Sequence, residues 1–522
     1  VDFGSVIDSG DNIIAVGSPL SGANSEGYVH IFQRDFTGEL TLIQILSATD
    51  GNVTSFGNSI AMSADYQWLY IGAPDSDIVL TYAWDDSVDA VTDTFIVPNA
   101  NVATFTLDTI DTEHSELILV SNSSVDFAPY RDYTITGDQL TFTTNAQPDT
   151  YVVRLQSGFR NISGGTFVGN ADTAFGRSVA CSTDGAQIVI GAPLETVDGE
   201  LNAGSVTVYD RSVEQYIAIA DQTLFGGNRP ISYMNKIYVN GVLQVFEIDY
   251  TIVLSTWVEL TEAPDAGSTV VIQSNAFNLL QYITAPAAIA EAQYGYSVDL
   301  CTYNCSLYAG SPYYSKNESI GKFYTGAVYR QLNQGRIYGT ITAAVQNPTV
   351  NSGDSIRLND FEVAFTDTTL SSVVDAINAA GIPGITATTS DNYLVINGDS
   401  TISADKLRVL PGFGTSLADL GLTVFAYTQT IENPTNFAND LFGQTVKIDE
   451  TSNRLAVASD VAITVMDTTF DLTTSETTLD ADSTGFVDEI ASGAVWLLSL
   501  LSDSRNTIDN PSKFAYVQQL KP

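Results

Sequence analysis

Carboxylates are the one chemically useful group this chain holds in quantity: it has 61 acidic residues, 20 basic ones and two histidines. A calcium ion takes six to eight oxygens, so several carboxylates must converge in one short loop to hold it. The segments that read as tight turns are Asp8–Asn12, Ser63–Tyr66, Ser182–Gly185, Thr302–Asn304 and Asp449–Asn453, and most of them offer a single acid. Asp8 and Asp11 are the best calcium candidates among them. Asp and Asn are also what a tight turn selects, so a turn-forming role competes with the metal. Glycoside hydrolysis needs two carboxylates flanking one bond, and no spacing here marks such a pair. The histidines, His30 in a strand-like stretch and His114, neighbour no serine or cysteine in a nucleophile motif. The residues therefore argue for a non-enzymatic protein, with calcium as the one cofactor to consider.

Cysteine adds little. Cys181 stands alone, and Cys301 and Cys305 flank a three-residue turn, where they form either a cross-strand disulfide or two small buried side chains. Three cysteines are too few for a zinc site or a disulfide framework. A net charge of −41 repels nucleic acid and anionic lipid, so neither is expected as a partner. No run of about 18 apolar residues is present to span a membrane as a helix. The opening, Val1–Gly10, lacks a methionine and a signal peptide, which reads as a processed product or a segment of something longer. Hydrophobic content of 44% supplies an ordinary core, and the acids are scattered with Asn, Thr, Ser and Gly as in a loop-rich β protein.

The elements that would position any site come from a repeat. Its clearest copy is Phe175–Tyr209: a strand Gly176–Cys181, a turn Ser182–Gly185, a second strand from Gln187 ending in Gly191–Pro193, and a third strand Ser205–Tyr209 opened by Gly204. The Phe-Gly opening recurs at Phe3, Phe56, Phe175, Tyr294 and Phe442. The Gly-small-Pro strand end recurs at Gly17–Pro19, Gly72–Pro74, Gly191–Pro193 and Gly310–Pro312, and decays to Ala458–Asp460 in the last copy. The third-strand signature recurs at Gly27–Phe32, Gly204–Tyr209, Gly326–Gln331 and Gly493–Leu498, with a looser Ile78–Trp84 in copy two. A fourth strand is legible at Leu40–Leu46 and at Phe514–Leu520.

These three ordered signatures resemble the FG-GAP repeats of integrin-α-type β-propellers. The resemblance implies a mainly β fold, a β-propeller of four-stranded blades with five repeats visible, in which the Phe of each copy is an inter-blade wedge. Propellers of this family often bind calcium through Asp-x-Asp-x-Asp-Gly in the first hairpin, a pattern no copy here has in full. They usually have seven blades, so further blades could lie beyond Val1 or Pro522. Blades are assigned to 1–93, 157–214, 275–333 and 424–522. The extra residues of copies two, three and four fall between strands three and four, so all three insertions should emerge on one face. A Thr/Asp-rich stretch in the last copy, Asp467–Asp488, reads as a long loop.

Insertions one (94–156) and two (215–274) read as small all-β domains and as copies of each other. Both carry Asp-Tyr-Thr-Ile, at Asp132–Ile135 and Asp249–Ile252, with Ala146 and Ala263 at matching distances beyond. The pattern is similar to a module common in tailed-phage fibre and appendage proteins. Insertion three (334–423) is α+β: a helix over Thr368–Gly381 with apolar Leu370, Val373, Val374 and Ile377, flanked by strands near 355–358, 361–365, 385–388 and 393–396. It resembles the flagellar hook IN motif of hook-associated proteins and some phage structural proteins. Together these resemblances imply a tailed-bacteriophage virion protein of a tail fibre, baseplate or other appendage. It would be present in several copies, bound to other virion proteins and in contact with a host-surface glycan or protein. A secreted bacterial cell-surface adhesin with an integrin-like propeller is the alternative, and a polysaccharide-degrading enzyme a more distant third.

Overall fold

The computed structural model describes residues 2–459 apart from segments such as 227–234, 316–323, 399–408 and 412–418, and beyond 459 the strands Ala494–Leu500 and Phe514–Leu520. The protein is mainly β, with antiparallel sheets and the helix Leu370–Ala379. It divides into two compact units, Val1–Ala186 with Arg211–Phe277, and Gln187–Asp210 with Asn278–Pro522. The division falls inside copy three, after its first strand Ser178–Cys181.

In the first unit, copy one is a four-stranded meander of Val6–Gly10, Ile13–Ser18, Tyr28–Arg34 and Leu40–Leu46. Its first hairpin pairs Gly10 with Ile13, leaving Asp11 and Asn12 as a two-residue turn. Asp11 has φ +46°, the left-handed geometry that such turns demand and Asp tolerates. Copy two is built alike from Ser59–Met62, Trp68–Ala73 and Ile78–Asp85, but its fourth strand, Gly158–Val168, returns only after insertion one. The first strands lie side by side in series, Val6–Gly10 on Ser59–Met62 and that strand on Ser178–Cys181.

The second unit repeats the scheme. Copy four has Ser297–Cys301, Ser306–Ser311 and Ala327–Asn333, with Phe425–Glu432 pairing after insertion three. Copy five has Thr445–Asp449, Arg454–Ser459, Ala494–Leu500 and Phe514–Leu520. The Asp467–Asp488 stretch, expected to be a loop, lies outside the described residues.

The signature residues are explained by how copies meet. Gly27, Gly204 and Gly326, which open third strands, have φ between +80° and +85°, and a Cβ on any of them would fall 2.1 Å from the carbonyl oxygen of Phe56, Tyr294 or Phe442 in the next copy. Only glycine allows that approach. The Gly of three strand-two endings makes a similarly close approach: a Cβ on Gly17, Gly72 or Gly310 would sit 2.0–2.3 Å from the carbonyl oxygen of Gly57, Gly176 or Gly443. Phe56, Tyr294 and Phe442 are fully buried and Phe175 nearly so, whereas Phe3 is 53% exposed.

Insertions one and two share a fold down to single hydrogen bonds. Insertion one has two sheets, one containing Ile118–Ser121 and Asp149–Leu155, the other Tyr133–Thr136 and Gln139–Ala146, closed over Val120, Tyr133, Phe142, Tyr151 and Val153. Its first strand, Val91–Val97, begins ahead of the boundary expected at 94. Insertion two closes over Phe225, Ile237, Tyr250, Val258, Val270 and Ile272. Asp132 accepts the Ala128 N–H, and Asp249 accepts the Val245 N–H. The Tyr133 hydroxyl donates to Ile118 O, as Tyr250 does to Asn235 O. Thr143 and Thr261 each donate a backbone N–H to that same Asp and a hydroxyl to the carbonyl before it. The matched alanines differ: Ala146 is buried and Ala263 exposed.

In insertion three the helix starts at Leu370, capped by the Thr369 side chain accepting the Ser372 N–H, and Gly381 at φ +62° lies just past its end. Val373 and Ile377 enter a core with Ile356, Leu358, Phe365, Leu394 and Ile396, while Leu370 and Val374 pack at its margin.

Candidate functional site

Asp8 and Asp11 occupy different settings, one in a strand and the other in the turn that follows it. Asp8 sits in a strand, and its carboxylate accepts the Met62 N–H of the neighbouring copy at 2.8 Å. Asp299 holds the same place in copy four, accepting the Ile448 N–H at 2.6 Å, with Lys447 Nζ at 3.6 Å from its other oxygen. This Asp, four residues after the Gly of a Phe-Gly opening, ties one first strand to the next. Asp11 occupies the turn beyond it. Among the described residues no group of three or more His, Cys, Asp or Glu side chains is placed to hold a metal.

His30 lies in the strand Tyr28–Arg34 with its ring edge-on to Phe3 at 5.1 Å. Burial, then the positive charge of Arg131, holds its imidazole below the usual range. His114 falls in the short 3-10 helix Thr112–Leu117. Cys301 is buried, Cys181 half-buried, and Cys305 lies outside the described residues, as does the disulfide considered for it.

The most unusual electrostatics belong to residues that sequence reasoning passed over. Trp68, in the second strand of copy two, is wholly buried beneath Arg211, whose guanidinium carbon stands 3.4 Å from its ring centroid and 4.3 Å from that of Phe277. Arg211 Nη2 donates to the Tyr70 hydroxyl at 2.5 Å, and that hydroxyl donates to Gly185 O at 2.6 Å. Trp68 Nε1 donates to Gln273 Oε1 at 3.1 Å, the Tyr238 hydroxyl to Asp65 at 3.3 Å, and Lys236 Nζ to Trp84 O at 2.6 Å. Burial depresses the pKa of Arg211 and of Lys236 and raises those of the Tyr70 and Tyr238 phenols. A cavity of about 30 Å³ beside Lys236, Trp84 and Tyr250 has room for little more than water.

Perturbed ionisable groups often mark an active site, but structural networks perturb them too. Arg211 has no exposed surface, so it can reach no ligand. What this cluster does is join: Arg211 of copy three's third strand meets the sheet of copy two by cation–π contact, and Lys236, Tyr238 and Gln273 tie insertion two to the same sheet by hydrogen bonds.

Insertion one is joined to copy one by the Arg131 guanidinium, 4.8 Å from the Tyr28 ring centroid, and by several neutral groups. The Gln44 amide donates to Phe159 O and Glu116 O and accepts the Phe159 N–H, all at 2.7–2.8 Å. Ser47 donates to Pro129 O, Gln156 to Ile43 O, and Leu119 and Ala128 pack on Tyr28 and Ile45. The Gln clamp recurs in the second unit, where Gln281 donates to Phe425 O and accepts the Phe425 N–H. Gln429 occupies the equivalent place in the fourth strand of copy four, ahead of Phe514 in copy five. A signal existed for this: a Gln in three of the fourth strands, at Gln44, Gln281 and Gln429, and a Phe near the start of the fourth strand that follows each of them.

Compared with known proteins, the chain matches no family model, and no curated protein matches it.

Proposed function

We propose that the protein is a non-enzymatic structural component of a tailed-bacteriophage virion, in a tail fibre, baseplate or other appendage, and that its four-stranded meanders are the blades of an FG-GAP-type β-propeller. The reading rests chiefly on one observation. Three separate modules, two of them built as copies of each other, are all spliced into the hairpin between strands three and four of a repeated meander. A scaffold of stacked repeats that displays whole domains from one kind of hairpin suits assembly and attachment better than catalysis. The buried joints favour the same reading, because they turn the first two insertions into rigid extensions of the sheets. A surface carrying −41 charges steers the protein away from nucleic acid. Its partners on this reading are other virion proteins and a glycan or protein of the host surface.

Mass spectrometry of purified virions of the phage that encodes the chain is the test. Peptides at stoichiometric abundance are expected, and their absence from intact particles would sink the proposal. Incubation with purified host envelope is expected to release no sugar.

A further inference from the structure

We infer that the protein associates head to tail, the leading face of copy one in one chain receiving the trailing face of copy five from a second chain.

One set of positions is buried in every later copy and open in the first. Ile60, Val179, Val298 and Val446, each four residues past the aromatic residue of its opening, are only 3–8% exposed. Ile7 holds that position in copy one and is 61% exposed. Phe3 is open in the same way, where Phe56, Tyr294 and Phe442 are fully buried. A Cβ on Gly57, Gly176, Gly295 or Gly443 would fall 2.3–2.8 Å from the carbonyl oxygen that begins the preceding third strand, at Tyr28, Ile78, Ser205 or Ala327. One on Gly4 meets nothing within 4 Å. Leu40 begins the fourth strand of copy one as Phe425 begins that of copy four, each four residues ahead of a Gln. Phe425, clamped by Gln281, is 3% exposed, and Leu40 is 49% exposed. Phe3, Gly4, Ile7 and Leu40 are thus the receiving half of a junction the chain builds repeatedly, and they form an apolar patch in a strongly acidic protein.

The matching half is written into copy five. In the junctions the second residue of the covering third strand is a valine, Val29, Val79, Val206 or Val328, each wholly buried. Val495 holds that place in copy five, where Ser459 lies opposite Ala494 as Ser311 lies opposite Ala327. The fourth strand keeps the register of the Gln clamp: Gln518 lies opposite Leu497 as Gln429 lies opposite Arg330, the fourth residue of the third strand in both. Copy five therefore offers a backbone carbonyl for Gly4, a valine for the Phe3 and Ile7 side and a Gln for Leu40. Phe3 and Ile7 stay exposed in the folded chain, so the occupant comes from a second chain. Such a contact is heterologous and repeats into an open string or a ring. None of this depends on the virion reading.

Sedimentation velocity on the full chain tests it, in about 0.15 M salt, where charge repulsion is screened beyond about 8 Å. Species larger than a monomer, growing with concentration, are expected. Ile7→Asp blocks the receiving face and Val495→Asp the donating one, with Gln518→Ala as a milder donor-side change. Each should raise the dissociation constant about tenfold or more, and Ile7→Asp should do so with little change in Tm, because Ile7 is exposed. The decisive result comes from mixing. The Ile7→Asp chain keeps its donor and a donor-side variant keeps its receiver, so together they should form a dimer and nothing larger. A wild-type chain that stays monomeric at high concentration, an assembly indifferent to Ile7→Asp, or single-sided variants that fail to pair would each overturn the inference. A monomer that shields Phe3 by closing copy five onto its own copy one would overturn it too, while leaving the reading of the meanders as blades intact.

Discussion

Gly27 and Gly38 share a backbone conformation, φ +83° and +90°, and differ in what surrounds them. A Cβ on Gly38 meets nothing within 4 Å, while one on Gly27 runs into the backbone of Phe56. Gly38→Ala should therefore cost only the left-handed strain, about 1 kcal/mol, and Gly27→Ala about 3 kcal/mol or more, because backbone cannot step aside. Urea midpoints of the two variants decide it, and equal costs would remove the copy-to-copy contact as the reason for the signature. His30 gives a second residue-level outcome. Its folded pKa lies below the unfolded value of 6.5, so the stability it contributes is present above about pH 6.5 and is lost as pH falls through the folded pKa. Relative to wild type, His30→Gln should lose less Tm between pH 7.5 and pH 5, and parallel pH profiles would count against this.

At the scale of the element, the fourth strands are held by side chains rather than by their own sheet alone. Gln44→Ala leaves the Phe159 N–H and C=O without their partners, and Gln44→Glu keeps an acceptor but loses the donor. The alanine variant should lose about 2–6 kcal/mol, at roughly 1–3 kcal/mol for each of the two orphaned groups, with the amide of Phe159 exchanging faster. Unchanged exchange at Phe159 would contradict the clamp. Strands such as Leu40–Leu46 and Phe514–Leu520 and the helix of insertion three were legible in the sequence, because alternation and helical periodicity are local. The pairing of Gly158–Val168 with Ile78–Asp85 was not visible residue by residue, since the partners are separated by a whole domain. The hydrogen bond that Asp8 makes was not foreseen for a related reason. Its partner, Met62, belongs to the next copy, and a turn-by-turn reading assigned the carboxylate to its own hairpin. Arg211 and Lys236 left no signal, because only tertiary packing makes a basic residue in a strand into a buried one.

For the molecule as a whole, 61 acids against 20 bases make self-repulsion a standing cost of compactness. Raising sodium chloride from about 0.01 M to about 0.15 M shortens the screening length from about 30 Å to about 8 Å. Thermal stability should rise accordingly, by roughly 2–4 °C for each kcal/mol relieved in a domain of 150–250 residues. A Tm insensitive to salt would mean that the acids are too dispersed to act together. The same field should leave the chain unable to shift a DNA fragment in a gel at low salt, where nucleic-acid binding is strongest.

The joints of the first two insertions also bear on how such chains could exchange parts. Insertion one leans on Gln44, Ser47 and Tyr28 of copy one, and insertion two on Asp65, Trp68 and Trp84 of copy two. A graft that moved either insertion alone would set its buried polar groups against an unrelated strand. The cassette that can be transplanted is thus the insertion together with its seat on the copy before it, and chimaeras cut at that seam should express where those cut at the hairpin aggregate.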